Sequence, residues 1–329
     1  MALVIAIALM LAGLVLLIKG ADWLILGAAD LARLLGVPTI VVGLTVVAFG
    51  TSAPELAAGI GAALSGHPEL NIGNVVGSNI ANVGLILGVA ALVCSVPVTA
   101  SVVRKDVGIM ILVSLVGVGV LIGGQVNRWE GLLLVAGIVT YLLWQYRAAR
   151  AERGEAGDLI EKEVEDQLGT DGTPRRPLVC IVLVIVGILA LTGGSALLVE
   201  GATRTATIMG VSEYIIGLLA VAFGTSVPEL ATSIRAVTRG ESDLAVGNVI
   251  GSNVFNILCV LGITSLITPI SAPPGELLRD LAVMLAMALA CIPILGRGGK
   301  ISRGEGVLLV SAYLGYVLWV ALSGGGGSA

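Results

Sequence analysis

Charged, aromatic and histidine residues are all scarce in this chain, and each scarcity excludes a class of protein. Of its 329 residues only 12% are charged, whereas a soluble domain carries about 25%. Aromatic residues make up 4% and have no basic stripe beside them, so the chain offers no surface for nucleic acid. His67 is the only histidine and lies in a short predicted loop, which leaves no imidazole to act as a base inside a membrane.

The cysteines argue against metal and disulfide chemistry. They occur singly, without the C-x-x-C spacing of zinc and redox sites, at Cys94, Cys180, Cys259 and Cys291. Each lies in an apolar stretch, where we expect a small buried side chain. No prosthetic group is expected.

What the chain has in abundance is long uncharged sequence. Hydrophobic residues make up 57% and the mean hydropathy is +1.04. Because about 20 apolar residues cross a bilayer as a helix, the pattern indicates an all-α polytopic membrane protein. The first apolar stretch lacks a basic region before it and is expected to be a retained span. The ten predicted spans cover residues 2–24, 37–65, 70–97, 104–123, 129–147, 177–200, 211–238, 243–270, 279–296 and 304–323.

An acidic segment divides the ten predicted spans into five and five. The predicted domains are a first five-helix repeat, an acidic cytoplasmic linker, a second five-helix repeat and a flexible tail, at 1–150, 151–176, 177–323 and 324–329. With the N-terminus outside, fourteen of the eighteen Lys and Arg residues fall in inner loops and three in outer loops. Basic residues accumulate on the cytoplasmic side, so the prediction is a plasma-membrane protein with both termini outside. Its surroundings are the lipid bilayer, and no obligatory protein partner is evident.

The two halves repeat each other. Residues 36–88 match residues 210–262 at a constant offset of 174. Since five is odd, equivalent spans cross the membrane in opposite directions. Inverted repeats of this kind are typical of secondary transporters, whose site lies at the repeat interface near the midplane, where helices are broken.

Each half places one acid inside an apolar span. The motif is Gly-Thr-Ser-x-Pro-Glu, at 50–55 in the second span and 224–229 in the seventh. Glycine weakens a helix and proline removes a backbone donor, so both spans are predicted to break there, with the glutamate in the first turn of a new half-helix. A helical continuation would bring the threonine and serine hydroxyls beside the carboxylate of their own motif. A carboxylate inside a membrane is a functional candidate by default.

A second repeated motif, Gly-Asn-x-x-Gly-Ser-Asn, begins the third and eighth spans at 73–79 and 247–253. In the third span Asn74, Ser78 and Asn82 are four residues apart and so share a helical face, whereas Asn79 points elsewhere and is expected to bond across helices. Together the two motifs supply only oxygen ligands. Such ligands suit a hard cation such as Ca²⁺, which takes about six to eight oxygens, and not zinc or copper.

Two carboxylates balance one divalent cation. When it leaves, two close carboxylates in a low dielectric do not both stay ionised, so counter-ions or protons are needed and exchange is favoured over leak. Other interpretations are structural ion pairs at the glutamates and hydrogen bonding between helices at the serines and asparagines. A channel, or an intramembrane enzyme with Ser52 or Ser226 as nucleophile, is a further alternative, but the latter lacks a neighbouring base.

The paired motifs resemble the two alpha repeats of the cation/Ca²⁺ antiporter superfamily, most closely its prokaryotic Na⁺/Ca²⁺ exchanger branch. The resemblance covers the whole chain and implies a ten-span inverted-repeat antiporter, not an enzyme, that exports Ca²⁺ in exchange for Na⁺ as spans one and six slide over the core. Many relatives carry Asp at the position of Asn256, so this site has two formal charges. A related branch exchanges Ca²⁺ for H⁺ through the same glutamates, which is the alternative function. The implied ion ligands are Ala48, Thr51, Ser52, Glu55, Ser78, Asn82, Ala222, Thr225, Ser226, Glu229, Ser252 and Asn256.

Overall fold

The computed structural model describes residues 2–68, 70–98, 103–167, 175–209, 224–271, 274–296 and 299–324, nearly all of them helical. The first half contains α1 (Ala2–Leu35), α2 (Thr39–Val42), π1 (Gly43–Val47), α3 (Ala48–Thr51), α4 (Ala53–Leu64), α5 (Leu70–Ala81), π2 (Asn82–Leu87), α6 (Gly88–Val93), β1 (Val96–Pro97), π3 (Val103–Val107), α7 (Gly108–Leu121), β2 (Gln125–Val126) and α8 (Arg128–Gln167). The second half contains α9 (Pro177–Ile208), α10 (Val227–Thr238), α11 (Ser242–Phe255), π4 (Asn256–Leu261), α12 (Gly262–Ile267), β3 (Ile270–Ser271), α13 (Pro274–Gly296), β4 (Lys300–Ile301) and α14 (Arg303–Gly324).

Long apolar helices confirm a multi-pass membrane protein. Within the described ranges six helical stretches are long and apolar enough to cross a bilayer, and the pair Thr39–Thr51 and Ala53–Leu64, bent by 41°, forms a seventh, broken one. The count of ten spans stays a prediction. The six stretches are Ala2–Leu35, Leu70–Val93, Arg128–Ala149, Pro177–Ile208, Ser242–Ile267 and Leu277–Leu295.

Three helices run past their predicted ends, and one of them is α9, which was expected to end at residue 200 and continues to Ile208. The first was expected to end at residue 24, but α1 continues to Leu35, because the charges beyond residue 24 are paired, Asp30 with both Arg33 and Arg175. Asp22 accepts hydrogen bonds from Arg235 of the seventh predicted span and from Arg239 just after it. The fifth was expected to end at residue 147, yet α8 continues into the acidic linker as far as Gln167.

Glycines allow α1 and α9 to pack with their backbones in contact. A Cβ on Gly13 would lie 2.7 Å from the carbonyl oxygen of Gly194, and one on Gly187 would lie 2.6 Å from the main-chain nitrogen of Leu24. Small residues permit such close approach between membrane helices. The contact glycines recur every seven residues, at Gly13, Gly20 and Gly27 in α1 and at Gly187, Gly194 and Gly201 in α9.

The centre of the protein is formed by the third and eighth predicted spans. In their most apolar stretches 78% of Leu70–Val93 and 83% of Ser242–Ile267 is buried, against 17% of α1. Two short antiparallel strand pairs join the halves, β1 with β4 and β2 with β3. The acidic motifs therefore lie beside the most deeply buried helices, with α1 and α9 at the periphery.

Candidate cation site

The first acidic motif breaks its helix, as predicted, and the second stands at the start of a helix, with residues 210–223 before it outside the described part of the chain. Helix α3 ends before Ser52, whose ψ of 5° lies outside helical values, and α4 begins again at Ala53 with Glu55 in its first turn. In the second half Ser226 has a ψ of −1° and Glu229 lies in the first turn of α10. Each half-helix thus starts with a carboxylate at its positive end, where negative charge is stabilised.

The two glutamates meet across the repeat interface. Glu55 and Glu229 have relative exposures of 1% and 0%. Ser52 Oγ donates to Glu229 Oε1 over 3.1 Å, so a hydroxyl of the first motif reaches the carboxylate of the second. The expected pairing of Ser52 with the glutamate of its own motif does not form, because the helix stops at the serine and its hydroxyl reaches the other half.

Asn74 and Asn248 hold the two breaks together. Asn74 Nδ2 donates to the main-chain carbonyl of Glu55 over 3.2 Å, and its Oδ1 accepts from Thr225 Oγ1 over 3.4 Å. Asn248 repeats this arrangement, since its Nδ2 donates to the Glu229 carbonyl and its Oδ1 accepts from Thr51 Oγ1 over 2.9 Å. Because their amide oxygens are already bonded, these two asparagines connect the halves and are not free ligands.

Five buried oxygens of the predicted ligand set have no hydrogen-bond partner within the described part of the chain. Leaving a buried polar atom unpaired costs about 1–3 kcal/mol, so five together need a compensating group. All five belong to groups that coordinate hard cations. They are Glu55 Oε2, Asn82 Oδ1, Glu229 Oε2, Ser252 Oγ and Asn256 Oδ1.

Other predicted ligands are engaged within the protein. Ser226 Oγ donates to Ser78 Oγ over 3.5 Å, which brings together one serine from each half. The Ala48 carbonyl accepts the Ser52 N–H over 3.0 Å and the Thr51 hydroxyl over 3.4 Å, so it is not a freed carbonyl. Its counterpart Ala222 lies outside the described residues.

Sequence reasoning missed the π-helical turns. Asn82 is the first residue of π2 and Asn256 the first of π4, so each predicted ligand lies where the helix widens. Single π turns inside α-helices are frequent at functional sites. A glycine directly follows each turn, Gly88 and Gly262, and this repeated spacing is the one signal that the sequence carried.

The donor set excludes the ligands of transition metals. Among the described residues no group of three or more His, Cys, Asp or Glu side chains is close enough to hold a metal ion. The candidate site instead combines two carboxylates with amide and hydroxyl oxygens, and the ion pairs of the described residues leave both glutamates out. Oxygen donors of this kind are the ones that hard cations prefer.

The family comparison agrees with this chemistry. The sodium/calcium exchanger protein family matches residues 5–147 and 179–322. The chain belongs to this family. Members are exchangers and not catalytic enzymes, so the chain is an ion-transporting membrane protein of the cation/Ca²⁺ antiporter superfamily.

Relatives match over nearly the whole chain. The inner membrane protein YrbG of Escherichia coli is 39% identical over 321 residues, which cover 97% of each chain. The sodium/calcium exchanger MaX1 of Methanosarcina acetivorans is 31% identical over 94% of this chain and 97% of its own. Among solved structures, the sodium-calcium exchanger NCX_Mj superposes with a TM-score of 0.80 at 29% identity, covering 97% of this chain and 99% of that one.

Proposed function

We propose that this member of the family is an antiporter that exports Ca²⁺ in exchange for Na⁺ at the site between the two helix breaks. The observation that carries the proposal is the group of five buried, unpartnered oxygens contributed by both halves. Ca²⁺ prefers flexible cages of about six to eight oxygens, and the hydroxyls beside these five are available to complete one. The proposed ligands are Thr51, Ser52, Glu55, Ser78, Asn82, Thr225, Ser226, Glu229, Ser252 and Asn256.

The charge of the site supports exchange over simple release. Glu55 and Glu229 are buried and together balance one Ca²⁺. If Ca²⁺ left without replacement, two buried negative charges would face a low dielectric, which is strongly unfavourable. Na⁺ ions restore the balance and so permit the site to change sides, and protons are the alternative.

The strand pairs support the ten-span inverted repeat and its division into two halves. In that arrangement the loops that hold β1 and β4 are separated by six spans, and those that hold β2 and β3 by four. An even number of crossings places paired strands on the same side of the membrane, so the predicted topology accounts for both pairings. The family match in two segments, 5–147 and 179–322, also supports the predicted domains.

The ion pairs around α1 support the proposed orientation. They link the C-terminal end of α1 to the C-terminal end of the linker, to the last turns of α10 and to the loop after it. The excess of basic residues places all these segments at the cytoplasmic side. We therefore propose a plasma-membrane protein with both termini outside. The residues that form these pairs are Asp22, Asp30, Arg33, Arg175, Arg235, Arg239 and Glu241.

The packing of α1 and α9 supports the alternating access that the family resemblance implies. Their backbones touch along seven-residue glycine repeats, so the two helices form one unit. This pair lies outside the buried centre and slides over it, which opens the site to one side at a time while the ligands stay in place.

The test is uptake of ⁴⁵Ca²⁺ into proteoliposomes under an imposed Na⁺ or H⁺ gradient. We expect saturable uptake that a Na⁺ gradient drives, and its loss in Glu55→Gln and Glu229→Gln. Glu200→Gln is the matched control, because Glu200 is half exposed at the surface of α9, where it pairs with Arg204. Uptake driven by H⁺ alone would establish the Ca²⁺/H⁺ exchanger instead, and full activity of both glutamate variants would refute the site.

A further inference from the structure

Asn82 and Asn256 pose a problem of orientation that an aspartate would not. An amide has one oxygen, which binds cations, and one NH₂ group, which repels them. A carboxylate presents an oxygen whichever way it turns. Asparagine therefore serves as a cation ligand only if something holds its NH₂ group away from the cation.

For both Asn82 and Asn256, the residue that holds the NH₂ group is an asparagine of the other half. Asn82 Nδ2 donates to Asn253 Oδ1 over 2.9 Å, and Asn256 Nδ2 donates to Asn79 Oδ1 over 3.1 Å. The NH₂ groups of Asn82 and Asn256 are thereby occupied, and their Oδ1 atoms are the ones left without a partner. All four side chains are at most 2% exposed, so bulk water does not compete for these bonds.

Groups that only accept hydrogen bonds fix the orientation of the two holding asparagines. Asn253 Nδ2 lies 3.4 Å from the thioether sulfur of Met110. Asn79 Nδ2 donates to the main-chain carbonyl of Asn253 over 3.3 Å and lies 3.9 Å from the sulfur of Met284. If Asn79 or Asn253 turned over, its oxygen would face another acceptor with no hydrogen between them. We call the chain of hydrogen bonds that runs through Asn253 to Asn82, or through Asn79 to Asn256, a relay. The direction of each relay is therefore set at its end away from the cation.

Both relays recur at the repeat offset of 174, which relates Asn79 to Asn253 and Met110 to Met284. We propose that Asn79 and Asn253 are positioning residues of the cation site, which hold Asn256 and Asn82 with their amide oxygens toward the cation. The proposal rests on the function proposed above, since it assumes that the cation binds between these amides. It assigns neither Asn79 nor Asn253 a contact with the ion.

The test is a double-mutant cycle read by equilibrium binding of ⁴⁵Ca²⁺ to the purified protein. Asn253→Leu removes the acceptor, so Asn82 is free to turn, and we expect Ca²⁺ affinity to fall by about tenfold or more, as for other outer partners of metal ligands. In an Asn82→Asp background the same change should cost little, because a carboxylate needs no orientation. In an Asn256→Asp background the loss should persist, because Asn82 stays unheld whichever residue occupies position 256.

The Asn256→Asp background separates the effect of amide orientation on Ca²⁺ affinity from the effect of added charge. Asn256→Asp and Asn82→Asp add the same charge. If both suppress the effect of Asn253→Leu to the same extent, added charge explains the rescue and the proposal is overturned. It is also overturned if Asn253→Leu binds Ca²⁺ like the unaltered protein. If the unaltered protein does not bind Ca²⁺, or Glu55→Gln binds it equally well, the proposed function fails instead.

Met110→Leu provides a milder variant in case Asn253→Leu does not fold. It conserves volume and leaves all four asparagines in place, but it removes the sulfur that orients Asn253. We expect a smaller fall in Ca²⁺ affinity that Asn82→Asp suppresses and Asn256→Asp does not. Unchanged affinity in folded Met110→Leu, with Asn253→Leu unfolded, would count against the relay.

Discussion

The contact between α1 and α9 makes a sharp prediction about two adjacent glycines. A Cβ on Gly194 would lie 2.9 Å from both the carbonyl oxygen of Gly13 and the main-chain nitrogen of Leu17. These neighbours are backbone atoms and cannot rotate away, so the helices must separate. On Gly193, one residue earlier in α9, a Cβ would meet no atom of the described residues within 4 Å. Gly194→Ala and Gly193→Ala are thus the same chemical change in opposite environments.

The expected difference in stability follows from two terms. Overpacking a close contact costs about 1–3 kcal/mol, whereas alanine in an unobstructed helical position gains up to about 1 kcal/mol over glycine. Because both variants gain this helical preference, it cancels between them, and their free energies of unfolding should differ by about 1–3 kcal/mol. Since 1 kcal/mol moves the Tm of a domain of 150–250 residues by about 2–4 °C, a separation of at least about 2 °C is expected.

The assay is thermal unfolding of the purified protein in detergent, followed by the fraction that still elutes as a single species after heating. The unaltered protein should melt between Gly194→Ala and Gly193→Ala. If both variants melt at the same temperature, or Gly194→Ala is the more stable, the backbones of α1 and α9 are not in contact and the single sliding unit is wrong.

Two further predictions concern neighbouring contacts. Asp22→Asn should lower the free energy of unfolding by about 1 kcal/mol, because it leaves Arg235 and Arg239 without their shared carboxylate. The loss is small since both arginines are about a third exposed. A Tm equal to that of the unaltered protein at low salt would contradict this prediction. Gly251→Ala should weaken ⁴⁵Ca²⁺ binding, because the added Cβ would lie 2.6 Å from the Leu44 carbonyl oxygen and push α11 away from the broken span. Unchanged Ca²⁺ affinity in the folded variant would show that this contact does not position the site.

Local chemistry explains why the breaks could be predicted. Pro54 has no N–H and Gly50 weakens the helix before it, so the interruption follows from residues within one turn of each other. The burial of Glu55 follows from the uncharged sequence around it. Because both features recur at one offset, the family and the two halves of the site were also within reach of the sequence.

Contacts between the halves explain why the rest could not. The part of α1 beyond its predicted end carries Asp30, which pairs with Arg175 more than a hundred residues along the chain, and no local pattern records that contact. Ser52 reaches Glu229 and not Glu55 for the same reason. The roles of Asn79 and Asn253 require knowing which end of an amide faces which neighbour, and that is decided by sulfur atoms on other helices.

These contacts make the site a property of the pair of halves and of neither half alone. The hydroxyl that bonds the Glu229 carboxylate comes from the opposite motif, and the NH₂ groups of Asn82 and Asn256 are each held by the opposite half. A single half would bury one glutamate with neither its hydroxyl nor an oriented amide. Joining the halves buries both glutamates. In the function proposed above, the interface that assembles the site is therefore also the reason that Ca²⁺ must be replaced by a counter-ion when it leaves.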